Sequence, residues 1–398
     1  MNENAYREWR NYSVQVAGRA YEVATKPGAF AHGRLDPATR LLAEHVEVEA
    51  GHTLVHLNCG NGLAGVVASA AGHAGRVVLA DRNVVSVEAT RRTLAANGVT
   101  EGEVFLAHGT HTFPKALEAD SVAIRIPQER LALLQLLMDA FAILKVGGRC
   151  YIAGATNEGI KTAAGTIEKL FGNARVLARD SSHRVISAVK RTDVPSSAAD
   201  VNSPFLDSDT FRELDAPLRG NTYKLYSRPG VFSWDHIDEA TMILAEAMKI
   251  QSGDSVLDLG CGYGALGIVA ASVAGHGRLS MVDADIEAVR SASRSADANG
   301  IVNYRALASD VAAAVLGERF DVVVTNPPFH VGKTTDLNVP NQFIRDAWDV
   351  LNHGGSLFLV ANRTLPYEQA IKHRFGNVAN LHDGPRFKVL TATRERAA

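Results

Sequence analysis

Residues 27–98 and 229–300 align along their whole length without a gap, and about a third of the paired positions are identical. PGAF (27–30) faces PGVF (229–232), and LNCGNG (57–62) faces LGCGYG (259–264). Asp81 faces Asp283, and AANG (95–98) faces DANG (297–300). A repeat of this length lies far beyond the roughly 20–50-residue periods of solenoids and propellers, so it marks a duplicated domain. At 398 residues, the chain is also too long for one ordinary core. The expected organisation is a first domain over 1–190, a linker over 191–204 rich in Ser, Pro, Asp and Ala, and a second domain over 205–398.

Each half alternates short apolar runs with helical patterns. In the second, DSVLDLG (254–260) reads as a strand and is followed by glycines and an Ala/Val helix reaching about residue 274. RLSMVDA (278–284), VNYRALASD, FDVVVTNPP and GGSLFLVAN give further strands. IEAVRSASRSADANG and FIRDAWDVLNHGG give helices stopped at Gly300 and Gly354. The fold class this implies is α/β, with two tandem Rossmann-like domains, each a mostly parallel sheet covered by helices on both faces. Ligands of such sheets bind beyond the carboxyl ends of the strands.

Chemistry-bearing residues gather at those ends. Asp258-Leu-Gly260-Cys261-Gly262-Tyr-Gly264 spans a strand-to-helix turn, where glycines let the backbone pass close to a ligand. Gly262-x-Gly264-x-x-Gly267 also fits the dinucleotide pattern, and Asp283, closing the next strand, can take both hydroxyls of a ribose. These features suit NAD and S-adenosylmethionine alike. Asp310 can accept from an adenine amino group or cap a helix beginning at Val311. The tie breaks at Asn326-Pro327-Pro328-Phe329, where two prolines stop the strand Val322-Val323-Val324. Asn326 precedes a proline and stays extended, so its side-chain carbonyl and the Pro327 carbonyl can converge on one NH₂ group. Phe329 offers a face on which a base can stack. Two acceptors on an amine whose lone pair is delocalised favour the pyramidal geometry that attacks a methyl donor. Hydride transfer has no use for such a corner.

DLGCGYG, Asp283, Asp310 and NPPF together resemble class I S-adenosylmethionine-dependent methyltransferases acting on exocyclic amines. The longer string NPPFHVGKTTD, followed by LFLVANRTLPYE, FGN and RFKVL, resembles the ribosomal RNA small-subunit guanine-N2 methyltransferase family. Its large-subunit sister family stands close behind as the alternative. The resemblance covers nearly the whole chain. It implies tandem class I domains with the active site in the second, and a donor site lined by Asp258, Gly260, Cys261, Gly262, Gly264, Asp283, Asp310 and Asn326. It also implies that Asn326, Pro327, Pro328 and Phe329 hold the guanine, and that Phe232, within PGVFSWDHID, flanks the reaction centre. Lys333 stands where it can meet a phosphate beside the target. No metal is required. The implied partner is ribosomal RNA, as the small subunit or its assembly intermediate. Methylation of glutamine N5 or adenine N6 uses the same corner, but those families carry different partner domains. An RNA-binding assembly factor without catalysis is the reading from another class, and the intact second-half motif argues against it.

The first half departs from the pattern. His56-Leu-Asn58 replaces Asp258-Leu-Gly260, and Arg125-Ile126-Pro127-Gln128 stands where the NPPF corner belongs. Catalysis is therefore expected only in the second half, leaving the first to position RNA or to support packing. A net charge of −2 excludes a global polycation, although the first half is slightly basic and carries Arg91-Arg92 on a predicted helix. Cys59, Cys150 and Cys261 lie far apart and form neither a disulfide framework nor a zinc pattern, which fits a reducing cytoplasm. No apolar run approaches the roughly 20 residues of a membrane span.

Overall fold

A parallel strand buried on both faces reads as an unbroken apolar run rather than an alternating one. The structure is a computed structural model describing residues 5–70, 74–196, 202–328 and 338–395, and it places runs of this kind in the middle of two sheets. The first compact unit, Met1–Thr210, begins with a hairpin of β1 (Arg10–Val16) and β2 (Arg19–Thr25). It continues through α1 (Pro37–His45), β3 (His52–Leu57), α2 (Leu63–Ala70), β4 (Ala74–Asp81) and α3 (Val84–Ala96). It ends with β5 (Gly102–Leu106), β6 (Ala119–Arg125), α4 (Arg130–Ile143), β7 (Leu144–Ala155), α5 (Ile160–Phe171), β8 (Arg175–Asp180) and β9 (His183–Val189).

The second unit, Phe211–Ala398, repeats that order. A hairpin of β10 (Arg212–Leu218) and β11 (Asn221–Ser227) precedes α6 (Glu239–Ala247), β12 (Val256–Leu259), α7 (Ala265–Ala274) and β13 (Leu279–Asp283). Then come α8 (Ile286–Ala298), β14 (Tyr304–Ala308), β15 (Phe320–Thr325) and α9 (Asn338–Val350). The unit closes with β16 (Leu351–Asn362), α10 (Tyr367–Phe375), β17 (Ala379–Asp383) and β18 (Phe387–Thr393).

Both large sheets have seven strands, ordered β5-β4-β3-β6-β7-β9-β8 and β14-β13-β12-β15-β16-β18-β17. Pairing is parallel from β14 through β16, and β18 and then β17 join through antiparallel pairing. Period-two alternation divides the apolar residues between two cores. In β3, Leu54 enters the core under the hairpin, α1 and α2, while Val55 and Leu57 enter the core under α4 and α5. In β7, Tyr151 and Ala153 oppose Cys150 and Ile152 in the same way. Sheet order reverses direction at β12, which lies between β13 and β15, so the crevice at a topological switch point opens beyond the ends of β12 and β15.

The repeat extends further than the aligned sequence. β1–β2 and β10–β11 occupy matching places, and the asparagine of each ANG stretch ties the hairpin to a helix end. Asn97 Nδ2 donates to Glu22 O (2.7 Å) and Glu22 N to Asn97 Oδ1 (3.0 Å). Asn299 makes the same pair with Lys224, at 2.7 and 3.1 Å.

Two boundaries differ from those expected. The units divide between Thr210 and Phe211 rather than at 204/205. Leu206 packs against the first unit's core and Ser196 N donates to Leu170 O (3.0 Å), so the described parts of the Ser/Pro-rich stretch belong to the first unit. The helix expected to stop at Gly354 ends instead at Val350, because Leu351 already pairs with Phe320 of β15. Gly354 lies within β16 at φ +86°.

Candidate active site

The loop after β12 turns through three left-handed glycines, Gly260 (φ +75°), Gly262 (+54°) and Gly264 (+87°), a region that side chains with a Cβ rarely enter. Their surroundings differ. A Cβ at Gly260 would lie 2.9 Å from the Phe343 ring, and one at Gly264 would lie 3.1 Å from Ala292 and Met281. A Cβ at Gly262 would meet nothing within 4 Å among the described residues, which leave the cradle open at this glycine. Asp283, at the end of β13, accepts from Gly262 N (2.9 Å) and Asp285 N (3.0 Å), locking loop and helix start to one half-buried carboxylate.

The side chains of Asp258 and Cys261 are buried beneath this loop. Asp258 is fully buried and accepts from Gly267 N (2.8 Å). Burial, with the charge of Asp283 adding to it, pushes its pKa up to about 7 against the pull of the Gly267 bond. Cys261 is buried in the core, and burial drives its thiol pKa upward. Both side chains support the loop from within the core.

Asp310 follows β14, next to Ser309, whose N–H donates to Asp283 O (2.8 Å). It does not cap an α-helix. The next residue, Val311, is left-handed at φ +53°, and only a short 3-10 turn over Ala313–Val315 follows. A β-branched residue in that region is strained, and such strain persists only where neighbours enforce it. Buried Asp346 of α9 does so by accepting from Ala312 N (3.1 Å), and is itself held by Gln342 Nε2 (2.6 Å).

Beyond β15 the described part of the corner is held by the Asn326 amide. Asn326 Nδ2 donates to Asp238 Oδ2 (3.0 Å) and Thr241 Oγ1 (3.1 Å). Asp238 is the N-cap of α6 and accepts from Thr241 N (2.9 Å). Thr325 Oγ1 donates to Leu259 O (2.6 Å), fastening β15 to the end of β12. Phe232 is 59% exposed on the segment entering α6. That segment is anchored by a fully buried ion pair between Arg228 and Glu287 (2.7 Å). Phe329 and Lys333 lie outside the described residues.

Sequence reading missed Asp238, Thr241, Gln342 and Asp346. The signal for the first two was present, since DPAT (36–39) and DEAT (238–241) face each other in the aligned repeat. Gln342 and Asp346 correspond to Gln135 and Asp139. Thr110 N donates to Asp139 Oδ2 (3.1 Å), next to left-handed Gly109.

In the first unit the same framework is filled by its own side chains. β6 pairs with β3 so that Arg125 takes the place of Asn326. Arg125 is buried and bridges Asp36 (2.9 Å) and Glu158 (2.8 Å). The Phe30 ring lies 3.2 Å from where a Cβ on Gly60 would be, and 5.7 Å from the Arg125 guanidinium. Asp81 still holds Gly60 N (2.9 Å), but the space that is open over Gly262 is occupied here. His56, in the place of Asp258, is fully buried with neither ring nitrogen hydrogen-bonded.

Among the described residues, no helix is long and apolar enough to cross a membrane, and no group of three or more His, Cys, Asp or Glu could hold a metal. The sequence matches the methyltransferase small domain family over residues 20–187 and 222–391. It is 34% identical over 283 residues to the ribosomal RNA small subunit methyltransferase C of Hahella chejuensis, covering 71% of this chain and 79% of that one. The namesake from Erwinia tasmaniensis is 33% identical over 282 residues, covering 71% and 78%. Among solved structures, the T. thermophilus 16S rRNA N2 G1207 methyltransferase, in complex with AdoMet and guanosine, superposes with a TM-score of 0.82. It is 30% identical, and the match covers 100% of both chains. With both domains matched and the glycine loop and amide corner in place, the chain belongs to the ribosomal RNA small subunit methyltransferase C family, S-adenosylmethionine-dependent methyltransferases built here from two tandem domains.

Proposed function

We propose that this chain methylates the exocyclic N2 amine of a guanine in 16S ribosomal RNA, and that the second unit alone performs the chemistry. The carrying observation is the Asn326 amide, whose NH₂ is bonded to Asp238 and Thr241, so that its carbonyl oxygen is the end left to meet an amine. A donor site for S-adenosylmethionine is supported by the room above Gly262 among the described residues and by the Asp283 carboxylate beside the loop, and the roles assigned are the ribose for Asp283 and the adenine for Asp310. When bound, S-adenosylmethionine supplies a methyl group on a positively charged sulfur. Asn326 Oδ1 and the Pro327 carbonyl accept the two N2 protons, which draws the amine toward pyramidal geometry and exposes its lone pair. Holding the amine in line with the donor supplies the proximity term, and the surplus proton leaves N2 for water. Paired guanine carries N2 in the minor groove, so the base is unstacked before it enters. Phe329 and Lys333 are assigned to base stacking and to a neighbouring phosphate.

The target is the guanine equivalent to the one named for the T. thermophilus relative, the substrate is the small subunit or its assembly intermediate, and the setting is the cytoplasm. The first unit contributes RNA contacts. The test incubates the protein with labelled S-adenosylmethionine and undermethylated 30S or 50S particles, then identifies the modified nucleoside by mass spectrometry. N2-methylguanosine in 30S is the expected product. Label confined to 50S would transfer the assignment to the large subunit.

A further inference from the structure

We propose that Asp238 and Thr241 are positioning residues for methyl transfer, fixing which end of the Asn326 amide meets the acceptor amine. This rests on the amine-methylation reading above and deepens it. An amide can be turned over with almost no change of shape, and the two orientations have opposite chemistry. With its oxygen toward the base, Asn326 accepts a proton from N2. With its NH₂ toward the base, it would set donor against donor.

The neighbours decide between them. An ionised carboxylate only accepts, and Asp238 Oδ2 lies 3.0 Å from Nδ2. Thr241 donates its hydroxyl proton to Asp238 Oδ2 (3.1 Å), which turns an oxygen lone pair toward Nδ2 at 3.1 Å. Both protons of the Asn326 NH₂ are thereby committed. The flipped amide would press its carbonyl oxygen against a carboxylate oxygen with no proton between them.

The duplicated domain carries the inference independently. Asp36 caps α1 as Asp238 caps α6, accepting from Thr39 N (2.9 Å) and Thr39 Oγ1 (2.8 Å). Its carboxylate also faces the end of the strand, where Arg125 replaces the asparagine and donates to it at 2.9 Å. Capping requires only the bond to the helix N–H. In both copies the carboxylate additionally selects a donor at the strand corner, an amide where the site is open and a guanidinium where it is filled.

The experiment uses the full chain and Asp238→Asn. Asparagine caps helices as well as aspartate, so α6 keeps its start, but the substituted side chain can present its own NH₂ and let Asn326 turn over. The kcat is expected to fall by about tenfold or more, the cost of misaligning one transition-state hydrogen bond. Donor affinity by calorimetry and the melting temperature should stay at wild-type values. Thr241→Val should lower kcat as well, and Thr241→Ser, which keeps the hydroxyl, should restore it. Wild-type kcat in Asp238→Asn would overturn the proposal. So would a loss of kcat matched by losses of donor binding and melting temperature, which would mark a purely structural role. If the wild-type protein methylates some other amine, the substrate reading fails, yet the ratio of variant to wild type on that amine still decides the role of Asp238.

Discussion

His56 and Asp258 occupy one position in two copies of a domain, and burial acts on them in opposite directions. Burial lifts the Asp258 pKa from its ordinary 3.8 to about 7, and lowers that of His56 from 6.5 to about 4. A carboxyl with a raised folded-state pKa contributes its full stability below 3.8 and loses it as pH rises through 7. At about 1.36 kcal/mol per pH unit, the loss reaches on the order of 4 kcal/mol. For His56 the window is reversed: stability is full above 6.5 and is lost as pH falls through 4. Between pH 5 and 8, without donor, the second unit should therefore weaken while the first gains, as read by hydrogen exchange in each. Asp258→Asn keeps an acceptor for Gly267 N and should abolish the second unit's decline; a variant less stable than wild type at pH 8 would refute this. Asn326→Ala should cost on the order of 10²–10³ in kcat with donor affinity intact, the loss typical of one aligned transition-state bond. Asp283→Ala should instead weaken donor binding, and an unchanged calorimetric affinity would remove it from the ribose role.

At the scale of elements, the repeated ANG stretches show what sequence reveals and what it leaves hidden. Their identity was visible, but not that each asparagine bonds a hairpin lying about 75 residues away in the chain. A two-stranded hairpin needs only alternation and a turn, so β1–β2 and β10–β11 diverged until little but their shape matches. Asn299→Ala should remove the two bonds to Lys224, lowering stability by roughly 1–3 kcal/mol. Exchange protection at the Lys224 amide should fall with it. Asn97→Ala should do the same at Glu22, and protection unchanged in both would mean that side-chain packing alone docks the hairpins. The strands and the glycine loop were legible because burial on both faces and left-handed turns restrict residue choice. Asp238 and Thr241 were not, since Asp-x-x-Thr reads as a local helix cap and gives no sign of its second partner across the sheet. The strain at Val311 was equally hidden, because it is enforced by Asp346 from a distant helix.

For the whole molecule, duplication has left two domains with one framework and one open site. Arg125 and Phe30 fill in the first unit the places that Asn326 and open space take in the second. Burial raises the Asp36 carboxyl, but the hydrogen bond and charge of Arg125 outweigh it and hold the carboxyl below its ordinary range. Arg125→Ala would leave Asp36 and Glu158 without their cation, a loss that for buried pairs costs about 3–5 kcal/mol. The first unit should unfold earlier in denaturant while the second keeps its donor affinity. Calorimetry on the wild-type chain should find one S-adenosylmethionine site, not two, and a second site would contradict the filled cradle. A domain whose cradle is filled by its own side chains yet keeps its full size suits another use, and phosphate contacts can position RNA without reading its sequence. Residues 211–398 alone, provided they fold, should bind S-adenosylmethionine as the full chain does but hold 16S ribosomal RNA more weakly. Every phosphate that the shortened protein no longer neutralises lowers the slope of log affinity against log salt by about 0.7 to 0.9, so that slope should be shallower than in the full chain. Equal RNA affinity and an equal slope would confine the first unit to a structural role.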